Sequence, residues 1–142
     1  MHRIVAILFL IASNTVCAQA YDGIPDRFFG LIAKGETAAA IDHLYATNPW
    51  VDPKSDAVKN LKAELAKLDE MTGKYVYHEL AVDQKVGTRY AHLIFIVGYE
   101  RQPLRFELKV YRPGPKWRLH GVSFDTQLTQ DLDRLTNERL VQ

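Results

Sequence analysis

His78 is the ionisable side chain that the sequence places on the apolar face of a predicted sheet. The predicted strand register puts it opposite Phe95. An imidazole can accept and release a proton near neutral pH, but in apolar surroundings it needs a hydrogen-bond partner. Tyr45, Ser123 and a backbone carbonyl are the candidate partners. The sequence therefore allows two interpretations of His78, a hydrogen-bonded structural group or a group that lines a pocket.

A pocket around this histidine would be lined mainly by aromatic side chains. The residues that we predict for it are His78, Tyr45, Phe95, Trp117 and Ser123. Ser123 has no recognisable acid–base partner, and the chain contains no GxSxG motif, no glycine-rich phosphate loop and no HExxH motif. The histidines show no close metal-ligand spacing either. We therefore predict no catalytic residue, no metal site and no cofactor.

The elements that position these residues are four runs rich in Val, Ile, Tyr, Phe and Leu, which predict a four-stranded antiparallel meander. The predicted strands are Tyr75–Lys85, Thr88–Glu100, Leu104–Arg112 and Lys116–Asp125. The predicted two-residue turns are Val86-Gly87, Arg101-Gln102 and Pro113-Gly114. Counting outward from these turns places His78 opposite Phe95, Val97 opposite Phe106 and Leu108 opposite Leu119.

Side chains alternate between the faces of a strand, so the register sorts the sheet into two faces. One face collects nearly all the apolar residues and is predicted to face the core: Val76, His78, Leu80 and Val82; Ala91, Leu93, Phe95 and Val97; Phe106, Leu108 and Val110; Trp117, Leu119, Gly121 and Ser123. The other face is mixed, and there His120 is predicted to lie opposite Glu107. A core on one side of the meander needs a second layer to cover it.

The mixed face carries apolar residues where a solvated face would have Thr or Lys. We predict from them an interface made of Tyr77, Ile94, Ile96, Tyr111, Val122 and Phe124. Two covers are possible, a second copy of the chain in a homodimer or the C-terminal tail. The tail, Thr126–Gln142, has Leu128, Leu132 and Leu135 at helical spacing.

Three helices are predicted before the sheet. Apolar residues recur at helical spacing in Asp22–Ala33 and Glu36–Thr47, which end at Gly35 and Asn48-Pro49. The third helix is predicted to begin at Asp52-Pro53, with Asp52 as N-cap, and to end at Gly73. Its apolar stripe, which suits the core face of the sheet, is Val58, Leu61, Leu65, Leu68 and Met71.

The N-terminus has the pattern of a secretory signal peptide. A basic start precedes the apolar run Ile4–Ala12 and the small-x-small sequence Ala18-Gln19-Ala20, which predicts cleavage before Tyr21. The only cysteine, Cys17, would leave with the signal. Beyond it no stretch is long and apolar enough to cross a membrane. We therefore expect a periplasmic or secreted protein without a disulfide.

Three helices followed by an antiparallel meander resemble the NTF2-like (cystatin-like cone) superfamily, and the stretch Trp117–Val122 resembles the closing strand of such domains. The resemblance implies an α+β fold with residues 1–20 as signal peptide, 21–126 as NTF2-like domain and 127–142 as amphipathic helical tail. Members include isomerases, dehydratases and hydrolases that work inside the cone, and also binding and assembly modules. Enzyme members have carboxylates in the cone, whereas the predicted core face here has none on its central strands.

The functional expectation is a small exported module that binds an apolar small molecule or a partner protein and is not an enzyme. A structural subunit that dimerises through its sheet is an alternative, and a cone-pocket enzyme is another. The formal net charge is +1 over 142 residues. Because no basic cluster is present, nucleic-acid binding is not expected.

Overall fold

The structure, a computed structural model, describes residues 20–140, without the side chains of Leu135, Arg139 and Leu140. A left-handed turn, Ala20–Gly23, leads into the helices α1 Ile24–Ala33, α2 Thr37–Ala46, α3 Asp56–Ala66 and α4 Leu68–Thr72. The strands β1 Tyr75–Val86, β2 Tyr90–Tyr99, β3 Pro103–Tyr111 and β4 Arg118–Asp125 follow, and α5 Leu128–Leu140 comes last. Apart from Ala20, the predicted signal peptide lies outside the described residues.

The four strands form one antiparallel sheet in the order β1-β2-β3-β4. Helices precede the sheet and supply one side of the core, and a short helix follows it. The predicted α+β fold, with N-terminal helices packed on a four-stranded meander and a short C-terminal helix, is therefore confirmed.

The predicted start of the third helix is wrong. α3 begins at Asp56, and its N-cap is Ser55, whose hydroxyl accepts a hydrogen bond from the Val58 amide at 3.5 Å. Asp52 instead accepts from the Lys54 amide at 2.8 Å and so stabilises the preceding turn. The predicted stripe is also too long, because Met71 in α4 is 63% exposed.

The core face of the two central strands is as predicted, although each hairpin register differs by two residues. His78 lies opposite Val97, Phe95 opposite Phe106, and Val110 opposite Leu119. The turns differ from those predicted: the β1–β2 loop is Gly87-Thr88-Arg89, and the Tyr99 amide bonds the Gln102 carbonyl across Glu100-Arg101. A shift of two residues preserves the face of every side chain, because the side-chain period of a strand is two.

Three β-bulges place several side chains on the face of the sheet opposite to the predicted one. One lies between Tyr75 and Tyr77, one between Leu80 and Val82, and one in β4 between Leu119 and Gly121. Each inserts one residue, and an insertion of one residue moves the side chains beyond it to the opposite face. The predicted core positions Val76, Val82 and Ser123 are accordingly exposed, and Tyr75, Val122 and Phe124 pack against the core.

Aromatic and aliphatic side chains fill the space between helices and sheet. Phe28 and Phe29 of α1 are fully buried, and their ring centroids lie 6.2 Å and 5.9 Å from that of Phe106 on β3. Leu44 of α2 and Leu65 of α3 are buried in the same cluster. This part of the core between helices and sheet is therefore packed.

The C-terminal helix covers only part of the outer sheet face. Leu128 is buried, and Asp131 accepts a hydrogen bond from Arg105 of β3 at 2.5 Å, but Leu132 is 48% exposed. The predicted role of Leu135 as a cover lies outside the described side chains. Within residues 20–140, no helix is long and apolar enough to cross a membrane.

Candidate ligand-binding cleft

A cleft with two lobes lies where the left-handed turn meets β1. One lobe, here called the apolar lobe, has a volume of about 220 Å³, and the other, the cationic lobe, about 360 Å³. Ala20, Tyr21 and Asp83 line both of them. The two lobes therefore meet at one pair of hydrogen-bonded side chains, Tyr21 and Asp83.

Tyr21 is held in place by several contacts. Its hydroxyl donates a hydrogen bond to the Asp83 carboxylate, and its ring meets that of Trp117 edge-on at 4.9 Å. Burial, and after it the bond to Asp83, raise the pKa of Tyr21, so the hydroxyl stays a donor at ordinary pH. Next to it, the Asp22 carboxylate accepts a hydrogen bond from the Trp117 amide at 2.7 Å. These contacts offset the cost of a left-handed backbone at Tyr21 (φ 55°) and Asp22 (φ 53°).

Asp83 reaches the cleft because of the bulge after Leu80. Asp83 lies opposite Leu93, whose side chain is buried in the core, whereas Val82 lies opposite Ile94 on the outer face. In a regular strand Leu80 and Val82 would share a face. Here Leu80 lines the apolar lobe and Val82 does not.

The apolar lobe has walls of Pro25, Leu80, Leu93 and Phe95, with His78 and Asp26 as its other ionisable groups. The imidazole of His78 stacks on the ring of Phe29, with centroids 4.3 Å apart and 12° between the planes. Its Nδ1 lies 2.6 Å from the hydroxyl of Tyr75. Partial burial lowers the pKa of His78, and Asp26 opposes that effect. His78 is thus both hydrogen-bonded and part of a cavity wall, which combines the two interpretations allowed by the sequence.

The cationic lobe combines aromatic rings with two basic side chains. It is lined by Lys85, Gly87, Thr88, Tyr90, Arg112 and Trp117 together with the three shared residues. The Lys85 ammonium lies 5.9 Å from the ring centroid of Tyr21, and the Arg112 guanidinium carbon lies 5.4 Å from that of Trp117. Both distances are within the range of cation–π contacts.

The structure brings three of the five predicted pocket residues to this cleft. His78 and Phe95 line the apolar lobe, and Trp117 lines the cationic lobe. Tyr45 packs on the core from α2 and lines neither lobe, and Ser123 is exposed on the outer face. Neither is the partner of His78, which is bonded to Tyr75. The prediction that Tyr45 and Ser123 line the pocket is therefore wrong.

Sequence reasoning missed Tyr21, Asp83, Lys85 and Arg112. The bulge after Leu80 turns Asp83 and Lys85 to the inner side, and no sequence signal marks its position. Tyr21 directly follows the predicted cleavage site and was not recognised as a core residue. Its aromatic ring, just before the apolar face of α1, is the signal from which its burial could have been predicted.

Of the predicted interface residues, Tyr77, Ile94, Ile96 and Tyr111 lie on the outer face of the sheet. The assignment of Val122 and Phe124 to that face is wrong, because the β4 bulge turns both to the core, where the Phe124 ring stacks on Phe106 at 5.2 Å. Val82 lies on the outer face in their place and is 40% exposed.

Charged groups on the outer face form a connected network. Glu107 is bonded to His92 at 2.7 Å and not to His120, as the sequence had predicted. Arg105 pairs with Asp125 at 2.8 Å and lies 3.3 Å from Glu107. His120 lies edge-on to the rings of Tyr90 and Tyr111. Residues 20–140 contain no group of three or more His, Asp or Glu side chains that could hold a metal ion.

This chain is similar in structure to a solved NTF2-like protein. That protein is an NTF-2 like protein of unknown function from Silicibacter pomeroyi DSS-3; the identity is 10%, the match covers 72% of this chain and 89% of that one, and the TM-score is 0.48. At that identity and score the likeness carries nothing about ligand or activity. No family model matches the chain, and no curated protein matches it.

Proposed function

We propose that the protein is an exported, non-catalytic module that binds a small molecule with an apolar part in the cleft at Tyr21 and Asp83. The observation that carries the proposal is the pair of lobes that share these two residues, next to the packed core. Binding sites are typically concave and mostly apolar, with a few placed polar groups. The apolar lobe has this composition.

The ionisable groups of the cleft are oriented by hydrogen bonds within the fold. A general acid or base needs a free position facing the substrate. Here the Asp83 carboxylate accepts from Tyr21, and Nδ1 of His78 is engaged by Tyr75. These bonds orient the two groups, and Nε2 of His78 and the second carboxylate oxygen of Asp83 remain available to contact a ligand.

Export is supported by the signal-like N-terminus and by the position of the first buried residue. Tyr21, which follows the predicted cleavage site, is 7% exposed and belongs to the core, whereas Ala20 is exposed. Cleavage before Tyr21 would leave every core residue of the described part in the mature chain. A periplasmic or secreted location follows from the proposal.

The bulge after Leu80 provides a test of the binding site. Leu80→Glu places a carboxylate in the apolar lobe, and Val82→Glu places one on the outer face two residues away. Phenylnaphthylamine, a neutral apolar dye that fluoresces when bound, serves as the probe. We expect Leu80→Glu to weaken its binding at least about tenfold, because a charge in an apolar cavity must be desolvated. Val82→Glu should change the affinity by less than about twofold.

Equal loss of dye binding in both variants, or no binding to the parent protein, would contradict the proposed site. Both side chains are exposed, at 46% and 40%, so each variant should fold, and thermal unfolding checks this. Native mass spectrometry of the exported protein from its own periplasm would show any ligand that it retains.

A second candidate function is assembly through the outer sheet face. The observation that favours it is an outer strip of Tyr77, Val82, Ile94 and Ile96, in which the first two side chains are exposed and the two isoleucines are half-buried. Tyr77 is 49% exposed, and its ring lies over Gly98, where a Cβ would come within 2.1 Å of it. This ordered apolar surface suits a second copy of the same face in a homodimer.

A further inference from the structure

The two basic side chains of the cationic lobe lie over aromatic rings and not beside carboxylates. Lys85 lies over Tyr21, and Arg112 lies over Trp117. The salt bridges within residues 20–140 include neither of them. The carboxylate in the lobe, that of Asp83, accepts a hydrogen bond from the Tyr21 hydroxyl. Within the described part of the fold, the lobe therefore has two basic side chains against one carboxylate, and neither cation is held in a salt bridge.

Both cations keep donors for a ligand. A guanidinium has five N–H donors and an ammonium three. The side-chain hydrogen bond of Arg112 is a long one, from Nη2 to the Thr88 carbonyl at 3.4 Å. The Arg112 amide bonds the Arg89 carbonyl at 2.8 Å, which fixes the backbone that carries the guanidinium. Contact with the aromatic rings restricts the two long side chains before any ligand arrives, which reduces the entropy lost on binding.

We propose that the cationic lobe binds the anionic group of an amphipathic ligand, a carboxylate or a chemically similar oxyanion, while the apolar part of the ligand occupies the apolar lobe. The inference rests on the proposed function and adds the ligand class to it. Arg112 and Lys85 bind the anion, and Trp117 and Tyr21 hold these cations in position. A carboxylate matches the planar donor geometry of a guanidinium.

Two dyes that differ in charge test the ligand class. Anilinonaphthalene sulfonate carries an anionic group, whereas phenylnaphthylamine has the same ring system without it. The double variant Lys85→Gln/Arg112→Gln should bind the sulfonate dye about five- to tenfold more weakly than the parent, as expected for two partly exposed charge contacts. Its affinity for the neutral dye should change less than about twofold. Lys34→Gln, which removes a cation at the distant end of α1, is the matched control.

Salt gives a second readout. Raising the salt concentration from about 50 mM to about 500 mM should weaken the binding of the sulfonate dye to the parent protein. The effect on the double variant should be much smaller, because salt screens the charge contacts that the variant lacks. Leu80→Glu should weaken the binding of both dyes, because both are expected to occupy the same cleft.

The outcomes separate the inference from the proposed function. In one outcome, the neutral dye binds the apolar lobe of the parent, but the double variant binds the sulfonate dye as tightly as the parent does. The proposed ligand class is then wrong, and the proposed binding function stands. Equal weakening of both dyes in the double variant would also overturn the ligand class, because the loss would then not depend on charge. If neither dye binds the parent, the proposed function and the inference both fail.

Discussion

His78 shows how one exposed residue can both pack on the core and line a site. Its ring stacks on Phe29, and Tyr75 bonds its Nδ1, so it is a satisfied group, yet it also lines the apolar lobe. The sequence predicted the face of the histidine but not its partner. Tyr75 is turned inward by the bulge before Tyr77, and composition does not reveal that bulge.

The lowered pKa of His78 predicts a dependence of stability on pH. In an unfolded chain histidine has a pKa of about 6.5, and in the folded protein burial lowers the pKa of His78. Below about pH 6.5 the unfolded state therefore binds more protons than the folded state, and the free energy of unfolding falls as the pH falls. His78→Phe keeps a ring against Phe29 and removes the titration.

Denaturant unfolding of both proteins between pH 7 and pH 5 measures the effect. The parent should lose more stability over this range than His78→Phe does. His43, whose pKa is also lowered by burial, is present in both proteins, so its contribution cancels in the comparison. Identical slopes would show that His78 is not desolvated in the folded state.

At the scale of elements, composition was sufficient to find the strands and the core face of the middle of the sheet. The hairpin registers were wrong by two residues, but this left Phe95, Phe106 and Leu108 on the correct face. The bulges could not be predicted, because a single extra residue in a strand leaves its composition unchanged. For that reason the faces of the central strands could be predicted from the sequence. The cleft could not, because it depends on the bulge after Leu80.

The packing of helix on sheet predicts how substitutions in α3 and β3 rank. Leu65 and Leu108 are almost completely buried, so Leu65→Ala and Leu108→Ala should each reduce the free energy of unfolding by about 2–5 kcal/mol. Lys62 pairs with Asp42 of α2 near the surface, and Lys62→Ala should cost at most about 1 kcal/mol. A denaturant midpoint for Lys62→Ala below that of either leucine variant would refute the observed helix phase.

At the scale of the whole molecule, the outer face predicts the oligomeric state. If two copies pair through the strip of Tyr77, Val82, Ile94 and Ile96, Ile96→Glu should bury a charge in the contact and give folded monomers in sedimentation. Asn60→Glu, at an exposed position of α3 away from the sheet, is the matched control for one added negative charge.

A chain truncated after Thr126 separates the two covers of this face. A parent that is monomeric, together with a truncated chain that associates, would assign the cover to α5 and refute the dimer. A dimeric parent that Ile96→Glu leaves intact would refute the location of the contact. Dissociation by Ile96→Glu alone is the result that the outer strip predicts.

Ala20, which lines both lobes of the cleft, connects the processing of the chain with the chemistry of the site. Cleavage before Tyr21 would remove Ala20 and leave the primary amine of a new chain terminus at the wall that the lobes share. Such an amine titrates near pH 8, so at neutral pH the processed chain would have a third positive charge at the cleft, beside Lys85 and Arg112. The first residue of a chain has no constrained φ, so cleavage would also relieve the left-handed backbone at Tyr21. The precursor and the processed protein would in this way differ in their affinity for anions.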